Sequence, residues 1–182
     1  MVAGSAQSML CAFLGLLSVV ACDELPMVFR KGNAKFTLET LETSCDGNFV
    51  EYFHSVPNAV SLYTFRVVKL APAFTIDIAV RVRKTKRVMY KVDNVDGCLF
   101  LRNPLMNRIF GSVYKRLIVN GSWFSCPIQP GIYFLKNEGS LEMLPSFHPT
   151  GRYQVTVQMK MPNSGGPFVM QMMWIYNIVR SQ

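Results

Sequence analysis

The stretch that decides the fold of this chain is residues 90–127, YKVDNVDGCLFLRNPLMNRIFGSVYKRLIVNGSWFSCP. An Asp-Gly-Cys triplet at 96–98 follows a strand-like run, and an Asn-Pro pair then begins a short amphipathic segment. An Asn-Gly-Ser glycosylation sequon beginning at Asn120 precedes a Cys-Pro pair. Two cysteines that bracket a helix, beside a glycosylation acceptor, predict a secreted domain with a Cys98–Cys126 disulfide and an N-glycan on Asn120.

The first 21 residues predict a signal peptide. They contain no Asp, Glu, Lys or Arg, and the run from Met9 to Ala21 suits the apolar region of a signal peptide but is short for a membrane span. Cleavage after Ala21 or after Cys22 fits the sequence. A bacterial lipoprotein box at 19–22 is the weaker alternative, because the leader lacks the usual basic residue. Residues 22–182 are therefore expected to form one secreted domain.

The mature chain, about 160 residues long, is sufficient for one domain with a hydrophobic core. All 19 Lys and Arg residues lie in it, so the formal net charge of +8 belongs to the folded domain. This charge favours anionic membranes or acidic glycans as partners, and secretion makes nucleic acid the least favoured. The two histidines, His54 and His148, have no second ligand at a metal-binding spacing. No metal or other cofactor is expected.

Alternation of apolar and polar residues predicts a mainly β domain. Strands with one apolar and one polar face are typical of antiparallel sheets. Seven or eight such strands predict an antiparallel two-sheet sandwich or cup. The clearest strands are expected at 60–70, 74–82 and 153–161, and less regular ones near 34–41, 88–95, 131–135 and 168–178.

One short amphipathic helix is predicted over 103–118. Asn103 suits the N-cap and Pro104 suits the first helical position. The residues that recur every four positions to form an apolar stripe are Leu105, Ile109, Val113 and Leu117.

The apolar faces of strands 74–82, 153–161 and 168–176 are expected to line one shared interior. Methionines adapt to irregular partners, so those of the last two strands would suit a plastic apolar pocket. Ordinary filling of the core is the alternative for the same residues, and general burial statistics favour it. The candidate ligand-binding residues are Ile76, Ile78, Val80, Val155, Val157, Met159, Met170, Met172 and Trp174.

The basic run at 81–87, RVRKTKR, is expected at the tip of a hairpin. It would contact anionic headgroups or acidic glycans, or would lie in solvent and protect a sheet edge, and the second interpretation is favoured. The sequence contains no nucleophile-elbow, zinc-protease or phosphate-loop motif, so an enzyme is not expected. Asp93 and Asp96 are interpreted as turn residues.

This order of motifs resembles a large insect family of small secreted proteins of unknown function, of the DM type. The resemblance covers 34–160, beginning with the Phe36–Thr37 strand that leads to Cys45. The family is itself distantly similar to the ML lipid-recognition sandwiches, the ganglioside activator protein and the Che proteins of chemosensory bristles. The matching residues are Asp96, Gly97, Cys98, Phe100, Leu101, the helix begun by Asn103, Asn120, Cys126, Pro127, Leu144, Pro145, Gly151, Arg152 and Tyr153.

The resemblance implies an extracellular, ML- or immunoglobulin-like β-cup whose apolar interior holds a lipid-like ligand. One departure concerns the cysteines. The family usually has a second cysteine shortly after the one that matches Cys45, but residues 51–56 read EYFHSV, so that local disulfide is absent. Cys45 either pairs with Cys22, if cleavage spares that residue, or stays free and buried.

Together these features predict a secreted, non-enzymatic carrier or co-receptor for a hydrophobic or lipid-like small molecule, such as a chemical signal in chemosensation. The expected partners are that molecule, a cell-surface receptor and an anionic membrane surface. One alternative is a secreted protein–protein interaction module with a filled core, and a lower-ranked one is a small secreted hydrolase. An apolar cavity of roughly 300 Å³ or more would favour the carrier.

Overall fold

The computed structural model describes residues 27–59, 61–102, 118–119, 125–137, 148–162 and 164–181. These ranges are mainly β, as predicted. No helix within them is long and apolar enough to cross a membrane. Their elements are β1 (Val28–Lys31), β2 (Ala34–Cys45), β3 (Val50–Ser55), β4 (Leu62–Val67), β5 (Thr75–Val82), β6 (Val88–Asp96), α1 (Gly97–Arg102), β7 (Gly131–Lys136), β8 (Gly151–Lys160) and β9 (Met170–Arg180).

The strands form two antiparallel sheets, which confirms the predicted architecture. The large sheet has the order β1-β2-β9-β8-β5-β6, and the small sheet has the order β3-β4-β7. The chain passes from the large sheet to the small one between β2 and β3, where Asp46 accepts hydrogen bonds from the backbone N–H groups of Asn48, Phe49 and Val50. This turn folds β3 back over the end of β2, so the small sheet covers one end of the large sheet.

Most strands lie where alternation predicts them, and two strands were missed. The predicted runs at 74–82, 153–161 and 168–178 correspond to β5, β8 and β9. The strands missed by sequence reasoning are β1 and β3. Their sequences, VFRK and VEYFHS, are too short or too mixed to show a regular apolar face. Pairing with β2 and β4 holds them in place instead.

Several predictions concern residues outside the described ranges. They are the signal peptide at 1–21, the glycan on Asn120 and the helix over most of 103–118. The last residue of that predicted helix, Ile118, forms an isolated antiparallel bridge with Leu135. The helix that is described, α1, begins before the predicted start. Asp96 caps it by accepting a hydrogen bond from the Leu99 N–H at 2.8 Å.

Each residue of the Asp-Gly-Cys triplet has a structural role. Asp96 caps α1, and Cys98 forms the predicted disulfide with Cys126 across a separation of 28 residues. Closing that loop stabilises the fold by about 3.5 kcal/mol in the chain-entropy model. Gly97 is buried against Phe74, and a Cβ atom at this position would lie 2.1 Å from the Phe74 ring. The turn after β6 therefore requires glycine.

The start of β7 and the start of β8 are each held by a tyrosine hydroxyl that is hydrogen-bonded to the backbone. Each of these strands begins with Gly-x-Tyr, and the tyrosine hydroxyl donates to a backbone carbonyl four residues upstream. Tyr133 donates to the Gln129 carbonyl at 2.8 Å, and Tyr153 donates to the Pro149 carbonyl at 3.1 Å. These bonds fix where the two strands enter their sheets.

The described core divides into two clusters. The sheet–sheet cluster lies between the two sheets, and its buried members are Val50, Phe53, Tyr63, Phe65, Val67, Ala71, Phe74, Ile128, Met161, Val169 and Met170. The hairpin-end cluster lies on the large sheet near the β1–β2 hairpin, and its buried members are Ala34, Phe36, Val80, Tyr153, Tyr176 and Ile178. The single shared interior expected from the sequence is therefore divided, because the small sheet covers only one end of the large one.

Candidate functional site

The register of the large sheet arranges the nine predicted ligand-binding residues as three rows of three. Residues that pair directly across antiparallel strands project on the same side of the sheet. All nine therefore lie on one face, the inner face, which carries both core clusters. The rows are Ile76, Met159 and Met170; Ile78, Val157 and Met172; and Val80, Val155 and Trp174.

The rows differ in what covers them. The first row and Met172 pack in or against the sheet–sheet cluster. Val80 and Val155 belong to or contact the hairpin-end cluster. Three residues, Ile78, Val157 and Trp174, belong to neither cluster, and we call them the central strip. Ile78 is 37% exposed, so apolar surface remains uncovered between the two clusters.

The inner face is open at its β6 edge. Val92 pairs with Ile78, and Tyr90 pairs with Val80, so both extend the inner face by one strand. Val92 is 50% exposed and Tyr90 is 38% exposed. Sequence reasoning missed these two residues. Register shifts on either side of them, with Asn94 at a positive φ of 56°, put Val88 and Val95 out of phase with them, so β6 shows no continuous apolar face.

Trp174 reaches across to the small sheet. Its Nε1–H donates to Asn137 Oδ1 at 3.1 Å, and Asn137, just after β7, is only 3% exposed. The indole therefore has its polar atom satisfied inside the protein, and it offers only its ring to the central strip. This bond also fixes the position of the small sheet over the inner face.

A buried histidine lies at the other end of the inner face. His148 is fully buried, and its ring packs edge-on against Tyr153 at 4.3 Å and contacts Tyr90 at 5.5 Å. Within the described ranges, neither ring nitrogen of His148 has a hydrogen-bond partner, nor has the Tyr176 hydroxyl. Burial lowers the pKa of the His148 imidazole and raises the pKa of the Tyr176 hydroxyl, so both groups are neutral near pH 7.

A polar row crosses the outer face of the large sheet at β5, β8 and β9. Asp77 forms an ion pair with Lys160 and accepts the backbone N–H of Asn94 at 2.7 Å. The pKa of Asp77 is lowered, first by that N–H and then by Lys160. The polar row continues through Gln158 and Gln171, whose side chains are hydrogen-bonded at 2.7 Å. This row does not suit an apolar ligand, which is therefore expected on the inner face of these three strands.

The remaining candidates have structural partners. Asp93 pairs with Lys91 at 2.7 Å, while Asp96 caps α1. Cys45 is a free cysteine, partly buried against the sheet–sheet cluster. Among the described residues, no group of three His, Cys, Asp or Glu side chains is arranged to hold a metal ion.

These observations define a class: an antiparallel two-sheet β protein, closed by the Cys98–Cys126 disulfide, with a partly uncovered apolar face. Residues 74–155 match the model of a family described as protein of unknown function (DUF1091). This span runs from the residue before β5 into β8, and it includes the disulfide and the Asp-Gly-Cys turn. None of the curated proteins matches the chain significantly.

Proposed function

We propose that this protein is an extracellular, non-enzymatic binding protein that holds a hydrophobic or lipid-like small molecule against the inner face of its large sheet. The observation that carries the proposal is the central strip. Ile78, Val157 and Trp174 form apolar surface that neither cluster incorporates, and the exposed edge residues Tyr90 and Val92 continue it to solvent. A partly open apolar face with few polar groups is typical of a small-molecule site.

The extracellular setting is supported by the Cys98–Cys126 disulfide, because such bonds persist mainly in oxidising compartments. The predicted signal peptide and N-glycan also support an extracellular location. The resemblance to lipid-recognition sandwiches and chemosensory proteins supports a lipid-like chemical signal as the ligand. A carrier of this kind would deliver its ligand to a cell-surface receptor.

A neutral, hydrophobic naphthylamine probe tests the proposal directly. Wild-type protein should enhance the probe fluorescence, and Val157→Phe should abolish the enhancement because the new ring fills the central strip. The variant should still fold, because overpacking usually costs only about 1–3 kcal/mol. Thr156→Phe is the matched control. It adds the same ring to the neighbouring residue, which lies on the outer face, and it should leave probe binding unchanged.

Native mass spectrometry of protein from its own secretory host supplies the second readout. A co-purified apolar ligand that is lost in Val157→Phe would support the carrier. If wild-type protein takes up no probe and carries no ligand, the carrier is wrong. The interaction module with a filled core then replaces it.

A further inference from the structure

Positive charge is concentrated at one end of the large sheet. The first residues of β2 pair with the last residues of β9, the first residues of β8 pair with β9, and Val82 at the end of β5 pairs with Tyr153. The β1–β2 hairpin and the β5–β6 turn therefore lie at the same end of the sheet, which we call the basic end. Four of the five residues 83–87 are Lys or Arg, and all five are exposed.

The charge at this end is only partly balanced. Arg152 lies beside the β5–β6 turn, where its carbonyl accepts the Arg83 N–H at 2.9 Å, and its guanidinium is bonded to Glu39. Arg30 and Lys35 pair directly across β1 and β2. Like charges that face each other across an antiparallel pair are destabilising. Both side chains are exposed, and neither makes an ion pair with any residue of the described ranges.

A depression is present beside this like-charged pair. Its volume is about 200 Å³, and it is lined by Arg30, Lys35 and Arg180 together with Asn33 and Ser181. Arg180 is held in place because its guanidinium donates to Asn33 Oδ1 at 3.0 Å and to the His148 carbonyl at 2.9 Å. Arg30 and Lys35 project on the same side of the sheet, and Arg180 and the polar residues Asn33 and Ser181 complete the rim of this small concave site, which suits a phosphate group.

Exposed valines lie among these cations. Val179 pairs with Lys35 and is 49% exposed, and Val28, two residues before Arg30 on the same face, is 46% exposed. Val88 pairs with Arg81 beside the basic turn and is 45% exposed. An acidic glycan would gain little from exposed valines. A lipid surface binds both features, since cations reach the phosphates and aliphatic side chains enter the headgroup boundary.

We propose that the basic end docks on an anionic membrane surface, with the depression between the β1–β2 hairpin and the end of β9 receiving a lipid phosphate. The contact brings the protein to a membrane without involving the central strip. Sequence reasoning considered only the run at 81–87. It missed Arg30, Lys35 and Arg180 because only the sheet pairing brings the two termini of the described chain together.

Vesicle flotation tests the proposal. The whole secreted protein should float with vesicles of phosphatidylcholine and phosphatidylglycerol, and not with phosphatidylcholine alone. Each cation near such a surface contributes about fivefold in partitioning, so Arg30→Gln with Lys35→Gln should reduce binding about thirtyfold. Arg66→Gln with Lys69→Gln removes the same charge from exposed positions in and after β4, in the small sheet, and should reduce binding less than about twofold by comparison.

Further measurements distinguish a lipid phosphate from other anions and test the contribution of the exposed valines. Val28→Ser with Val179→Ser keeps every charge and should also weaken binding to the anionic vesicles. Equal losses in the two charge-matched pairs would overturn the proposal, because binding would then depend on net charge alone. Tight binding of inorganic phosphate or a sulfated glycan without vesicle binding would also overturn it. Thermal unfolding checks that each variant is folded, and Lys35→Gln alone repeats the test with one exposed substitution.

Discussion

The two clusters on the inner face of the large sheet differ in how they are closed. The sheet–sheet cluster is covered by a second sheet, and its aromatic rings pack on one another, as Phe65 does with Tyr133 at 5.4 Å and with Phe53 at 5.9 Å. The hairpin-end cluster is covered by His148 and Tyr90 instead. It holds three buried polar atoms that have no partner within the described ranges.

This difference predicts that the two clusters contribute unequally to the stability of the fold. A buried polar group without a partner costs free energy that an apolar core does not lose. The sheet–sheet cluster should therefore provide most of the stability, while the hairpin-end cluster should open more readily. The central strip lies between the two clusters. A ligand that binds there would contact the more stable sheet–sheet cluster on one side and the less stable hairpin-end cluster on the other.

The largest expected effect is in the sheet–sheet cluster. Phe65→Ala removes a ring that is only 5% exposed and should lower the free energy of unfolding by about 3–5 kcal/mol. Equilibrium unfolding in urea measures this loss. Ile132→Ala, in β7 of the same sheet but 56% exposed, is the matched control and should change stability by less than about 0.5 kcal/mol. A small loss for Phe65→Ala would show that this cluster does not dominate stability.

A smaller loss is expected at the turn after β6, which packs against the same cluster. Gly97→Ala places a methyl group against the buried Phe74 ring and should cost about 1–3 kcal/mol, measured as a lower thermal midpoint. Gly165→Ala is the control, because a Cβ atom there has no neighbour within 4 Å. Adding Phe74→Leu to Gly97→Ala should cost less than the sum of the two single changes. Strict additivity would contradict the steric explanation.

The smallest effect is expected at the hairpin-end cluster, and it depends on pH. The pKa of His148 is lowered in the folded protein, so the unfolded chain binds a proton that the folded one does not. The stability that depends on neutral His148 is fully present above about pH 6.5 and is lost as the pH falls below that value. The lowered pKa of Asp77 acts separately, since it matters only below about pH 4.

His148→Phe should remove this loss at mildly acidic pH, because phenylalanine keeps the ring without a titrating group. Near pH 7.5 it should leave stability unchanged or slightly higher, since it deletes two unpaired polar atoms. Urea unfolding across pH 5–8 measures both effects. Among the described residues, the group facing His148 from β6 is Tyr90, and those from β8 and β9 are Tyr153 and Tyr176, while Arg180 donates to the His148 carbonyl. His54→Gln, at an exposed position, should retain the pH dependence, and an unchanged slope in His148→Phe would disprove this explanation.

Much of the site could be predicted from the sequence because alternation is a local property. Ile76, Ile78 and Val80 share a face whatever strands lie beside them. Their neighbours could not be predicted, because register depends on hydrogen bonds between distant segments. Val92 and Tyr90 were missed for that reason, since only their pairing with Ile78 and Val80 shows that they face inward.

The sequence by itself determined the strand faces, the Cys98–Cys126 pair and the need for a turn at Asp96 and Gly97, because each depends on spacing or on local backbone chemistry. Only the tertiary structure decided how much of the inner face stays uncovered, because that depends on where the small sheet comes to lie. It also decided that both ring nitrogens of His148 are buried with no hydrogen-bond partner among the described residues, and that Arg30 and Arg180 line the same depression. Those neighbours are fixed by pairing between segments far apart in the chain, and a local sequence pattern cannot predict that pairing.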